Sequence, residues 1–173
     1  MAKILGVFQR YPMIKMSAQA GGLMAAGDVI SQTCVEGKGL KDIDKLRTLR
    51  FGCIGSFFVG PTLSRWYGVL DRYIVIKSPG KQALAKMAVD QFGFAPIFIV
   101  LFLGVNGITN GKEVSQIKED VKRDYTTILE ANYKIWPAVQ IVNFWIIPAH
   151  MRVLFVQTFA LLWNTYLSWM TNQ

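Results

Sequence analysis

Four long stretches of the chain are apolar, and charged residues gather in the links between them. The first, 17–35, reads SAQAGGLMAAGDVISQTCV. It is only mildly apolar, rich in Gly and Ala, and interrupted by Asp28. The second, 48–70, and the third, 83–105, each have the roughly 20 residues needed to cross a hydrocarbon core. The fourth, 136–170, is too long for one straight crossing, since about 35 residues at 1.5 Å rise exceed a core of about 30 Å. Pro148 is expected to kink it, leaving one span with a long interfacial end; a re-entrant first half is the alternative. Pro61 and Pro96 are further kink positions within the second and third stretches.

Between the third and fourth stretches the period changes. Val114, Ile117, Val121, Tyr125 and Ile128 recur at steps of three and four among Lys and Glu. That pattern predicts an amphipathic helix over 113–131, lying on a membrane surface, with Asn110 and Glu113 spaced for its capping box. Ser78 and Pro79 read as the cap and first turn of another helix. The expected fold is therefore all-α: one membrane domain over 1–173, with about four transmembrane helices and an amphipathic surface helix.

Composition sharpens this picture. Of 173 residues, 52% are hydrophobic and only 17% charged, against about a quarter charged in soluble domains. The net charge of +8 suits an anionic membrane surface better than nucleic acid, because the basic residues lie between apolar segments rather than along one helix face. No direct nucleic-acid binding is expected. Residues 1–16 carry Lys3, Arg10 and Lys15, and no acid precedes Asp28. With Ile4, Leu5, Phe8 and Tyr11 on one helical face, this segment resembles a mitochondrial targeting sequence, cleaved or retained at the interface. Cys34 and Cys53 have no metal-ligand spacing and are expected as small buried apolar residues. His150 is the only histidine. No nucleophile, base or metal set is clustered, so neither enzymatic chemistry, a metal nor a cofactor is expected.

Two features carry candidate function. Gly52, Ser56, Gly60, Ser64 and Gly68 stand four residues apart, and small residues at such spacing let membrane helices approach closely. Asp90 lies in a long apolar run, VDQFGFAPIFIVLFLGVNG. Ionisable residues inside spans usually face a bundle interior or a cavity. On a four-span topology Asp28, Arg65, Asp90 and Arg152 reach similar depth. Asp90 is then expected to pair with Arg65 or Arg152, in an interior cluster that includes Gln91 and either lines a pore or orients helices. Gln91, Asn106, Gln140, Asn143, Gln157 and Asn164 add polar groups to the spans, lining water or bonding helix to helix.

Short motifs then follow one another in order: GDVISQ at 27–32, FVGP at 58–61, WYGVLDR at 66–72 and DQFGFAP at 90–96. NYKIWPAVQIVNFWIIPAHMR at 132–152 and WNTYLSW at 163–169 complete the set. Together they resemble the Mpv-seventeen and twenty-two-kilodalton peroxisomal membrane protein family over nearly the whole chain, with the nearer likeness to its mitochondrial branch. Asp90, Gln91, Trp136, Pro137, Gln140, Asn143, Phe144, Pro148 and Arg152 fall on the family's recurrent patterns. The resemblance implies a small multi-span protein of the mitochondrial inner membrane, with a peroxisomal membrane as the alternative. It also implies channel-like permeability, control of membrane potential, metabolite or nucleotide homeostasis and mitochondrial DNA maintenance. A non-transporting scaffold that organises inner-membrane complexes is the competing expectation. The lipid bilayer is the expected partner, with self-association or other inner-membrane proteins beside it and a small solute or ion as cargo.

Overall fold

A computed structural model describes residues 12–148 and 152–173. These residues are helical apart from short links. They fall into two compact units, one formed by residues up to Arg72 with Leu161–Asn172, the other by Tyr73–Ala160.

In the first unit, α1 (Pro12–Ile30) runs into a π turn at Ser31–Val35. Gly37, at φ 69°, ends it, and the Lys38 N–H bonds back to the Gln32 carbonyl at 2.9 Å. Glycine enters this left-handed region without a Cβ penalty. Helix α2 (Lys45–Ile54) starts at Asp44, whose carboxylate accepts the Arg47 N–H at 2.9 Å, a cap for an otherwise orphan donor. A second π turn, Gly55–Val59, leads into α3 (Gly60–Tyr73). Helix α1 packs along α2 and this π turn.

The small residues make that approach close. A Cβ on Gly55 would lie 2.6 Å from the Ala20 carbonyl oxygen, and one on Gly60 would collide with the Ser17 backbone. Gly52 faces Ala25, and Ser56 sits against Gly21. Gly68 meets nothing on that side. The helix geometry explains the cut-off. Eight residues of straight α-helix overshoot two turns by about 80°. The extra residue of the π turn removes that offset between Gly52 and Gly60. No such turn follows, so Gly68 rotates off the face and Ser64 sits between.

The second unit contains α4 (Pro79–Val89), a π turn at Asp90–Phe94 and α5 (Ala95–Thr109). Ser78 holds the cap position without a side-chain cap bond. Pro61 and Pro96 each stand just after a π turn, in which the Gly60 N–H reaches Gly55 O and the Ala95 N–H reaches Asp90 O. A proline lacks the N–H for the i−4 carbonyl and crowds it; widening the preceding turn relieves both. These kink positions are therefore π turns in a continuing helix.

Helix α6 (Val114–Trp145) departs from expectation at both ends. Its capping box uses Glu113 and Gln116, one step later than Asn110 and Glu113. The helix then continues through Pro137 instead of stopping near 131. Part of its apolar stripe packs on α5: Ile117 fills the space beside Gly107 and Ile128 is fully buried, while Val114 is exposed. Pro148 lies in the break after α6, and α7 (Arg152–Thr171) is a separate helix. The stretch 136–170 is accordingly two helices.

Among the described residues one helix, Pro79–Thr109, is long and apolar enough to cross a membrane, judged by length and composition. Only 33% of its apolar window is buried within the protein. Ala95, Ile99, Phe102 and Leu103 face inward, while Phe92, Ile97, Leu101 and Ile108 are exposed. An apolar helix with one bare face suits lipid better than a soluble core. Cys34 and Cys53 are free and exposed, contrary to the expected burial. Cys53 follows Leu46 and Leu49 on the bare side of α2, where its burial would be by lipid rather than protein.

Candidate functional site

Asp28 is fully buried in the first unit. Its position near the end of α1 places its carboxylate against the start of α2. Oδ1 accepts Arg47 Nε–H at 2.7 Å and the Ser168 hydroxyl at 2.5 Å. Oδ2 accepts Gln32 Nε2–H at 2.8 Å and the Thr48 hydroxyl at 2.6 Å. The acceptor capacity of a carboxylate is then essentially filled.

Arg47 extends the network. Its Nη1 and Nη2 donate to the two Glu36 oxygens at 3.0 and 2.6 Å, and Nη2 also donates to the hydroxyls of Ser168 at 2.8 Å and Ser31 at 3.3 Å. This fork-to-fork pairing needs a planar guanidinium. Gln32 ties in the link, accepting the Asp44 N–H at 2.7 Å. The Arg47 hydrogen bond, aided by Lys38, Ser31 and the Arg47 charge, outweighs burial and holds Glu36 down at about 2. With Lys38 on Glu36 at 3.0 Å, two acids and two bases balance. The chemistry available is structural: three helices are joined around a neutral knot with no free acceptor at its centre.

The second unit holds a shorter polar chain. Asn132 Nδ2–H donates to Gln91 Oε1 at 2.7 Å, and Gln91 Nε2–H donates to Asp90 Oδ2 at 2.9 Å. Gln91 and Asn132 are buried, while Asp90 is half-buried. Gln91 thus links Asn132 of α6 to Asp90. The π turn sets this arrangement, because it places Asp90 and Gln91 where the helix widens before Pro96.

The expected four-charge cluster is not what surrounds Asp28. Its cation is Arg47, while Arg65 is exposed on α3. The side chains of Arg152, Asn143 and Phe144, and His150 altogether, lie outside the described residues. Asn106 is buried and accepts from Asn110, and Asn164 packs on Gly27. Gln32, Arg47, Thr48, Ser168 and Asn132 were not singled out by the sequence. Only Gln32 left a local trace, four residues after Asp28 on the same helix face. Among the described residues no group of three or more His, Cys, Asp or Glu could hold a metal ion.

Comparison with known proteins adds a family. Residues 107–168 match the model of the Mpv17 / PMP22 family. The mitochondrial inner membrane protein Mpv17 of Danio rerio is 46% identical over 164 residues, 95% of this chain and 92% of its own. The Homo sapiens protein of the same name is 45% identical over 89% of this chain and 87% of its own. Protein SYM1 of Gibberella zeae is 38% identical over 94% and 91%. No solved structure matches.

Proposed function

The chain belongs to the Mpv17 / PMP22 family and is a protein of the mitochondrial inner membrane; from that premise we propose that it is a four-span channel or pore there. Passage is passive, along polar groups between helices, with no catalytic step. In the cell it supports membrane potential, metabolite or nucleotide homeostasis and, through them, mitochondrial DNA maintenance. The observation that carries this reading is the hydrogen-bonded series in which Asn132 of α6 reaches Gln91 and Asp90, both on Pro79–Thr109, the one helix of membrane length among the described residues. A half-buried carboxylate joined to such a series can give a path a fixed negative charge, and rings or points of charge set ion preference.

The saturated Asp28 knot favours a second reading, a non-transporting scaffold, since it builds a rigid interior without a free valence. Reconstitution separates the two. Pure protein in liposomes is expected to give discrete conductance steps and solute flux above protein-free vesicles. Folded, correctly inserted protein with no flux would reject the channel and leave the scaffold.

A further inference from the structure

The link between α1 and α2 is more ordered than its polar sequence suggests. Lys38 N–H bonds to Gln32 O, Asp42 N–H to Gly39 O, and Asp44 N–H to the Gln32 side chain. Glu36 is fixed by Arg47 and Lys38. Two of the link's three acids are directed at local partners: Glu36 binds Arg47, and Asp44 caps α2. Arg47 itself is buried. What the link presents outward is Lys41 and Lys45, with part of Lys38, beside the exposed acids Asp42 and Asp44, of which Asp44 is engaged in capping α2.

Among these cations stand bare apolar side chains. Leu40 is 78% exposed at the tip of the link, and Leu46 and Leu49 are exposed on the first turns of α2. Exposed leucines interleaved with lysines make a surface that is costly in water and suited to the headgroup–acyl boundary. There apolar side chains enter the upper hydrocarbon and nearby lysines are attracted to anionic lipid. A soluble acidic partner would satisfy the lysines but not explain a leucine at the tip of a pinned link.

We propose that the 38–49 link is a membrane-surface anchor, binding anionic phospholipid headgroups through Lys41 and Lys45 with Leu40 seated beneath them. It rests on the reading of α1 and α2 as membrane-embedded helices. It adds a lipid partner and fixes the depth at which the Asp28 knot is held.

Full-length protein in nanodiscs tests it. Discs of phosphatidylcholine are compared with discs in which part of the lipid is phosphatidylglycerol. The wild-type Tm is expected to rise with phosphatidylglycerol at low salt. The rise is lost at high salt and in the variant K41Q/K45Q, and inorganic phosphate does not reproduce it. An equal rise in the variant, or none in the wild type, overturns the proposal. Nitroxide labels supply the depth. One protein carries Leu40→Cys with Cys34→Ser and Cys53→Ser; the other keeps Cys53 alone. Both labels are expected to be more accessible to oxygen than to an aqueous nickel complex. A lipid-exposed label at 53 with an aqueous label at 40 overturns the anchor alone. Aqueous labels at both positions overturn the embedding of α2, on which it rests. Protection at 40 that appears only at high protein-to-lipid ratio assigns the surface to a second copy and likewise overturns the anchor.

Discussion

The two units solve the problem of polar groups in an apolar chain in opposite ways. In the first, Asp28 is fully buried and held by four donors, its charge is balanced within the network, and glycine contacts draw α1 onto α2. In the second, a long apolar helix leaves most of its surface bare, and one short donor series ends on a carboxylate that is only half-buried. A closed network holds helices together but leaves nothing for a passing ion. A half-buried carboxylate such as Asp90 keeps its charge nearer to water. The position of a carboxylate in an apolar run therefore does not by itself mark a conduction path; the depth of its burial distinguishes the two.

Substitutions within the knot should break this contrast most visibly. Arg47→Met leaves Asp28 buried without its cation, and losing one partner of a buried pair costs about 3–5 kcal/mol. A melt in detergent should drop sharply, while Arg65→Met, at an exposed position, should change little. Gly60→Leu drives a side chain into the Ser17 backbone. Overpacking of this kind costs up to about 3 kcal/mol, or more where backbone must move. Gly68→Leu, facing open space on that side, should melt near wild type, and equal losses at the two positions would contradict the register set by the π turn.

Ser168→Ala removes one donor to Asp28 and one acceptor from Arg47, at about 1–2 kcal/mol. The effect of Glu36 depends on pH. Its pKa falls from 4.5 to about 2 on folding, so its contribution is present above about pH 4.5 and disappears as pH falls toward 2. Glu36→Gln should lower stability at neutral pH and flatten the loss of Tm between pH 5 and 3. A variant that kept the full acid slope would place the titrating group elsewhere.

The sequence made the helices and the close small-residue packing legible, because periodicity and residue size are local properties. It also marked Asp28 and Asp90 as anomalies in apolar surroundings. Their partners were hidden for a physical reason. Arg47 lies one residue before the apolar stretch 48–70, so hydropathy assigned it to a solvated link. Ser168 is 140 positions from Asp28, and a serine in a Trp-rich helix carries no pattern. The glycine face was overextended to Gly68 because a four-residue spacing does not show where a helix gains an extra residue. The extension of the 113–131 helix to Trp145 is not visible in its apolar stripe, because Pro137 reads as a stop by local rules.

The central claim is that Asp90 acts on passage while Asp28 holds the fold. Single-channel reversal potentials in asymmetric salt test it on Asp90→Asn and Asp28→Asn, each beside a melt of the same preparation. Asp90→Asn is expected to shift the reversal potential toward reduced cation preference. Asp28→Asn is expected to lower stability and leave the reversal potential of the channels that still open unchanged. A shift with Asp28→Asn, or none with Asp90→Asn, would contradict the division of roles between the two units.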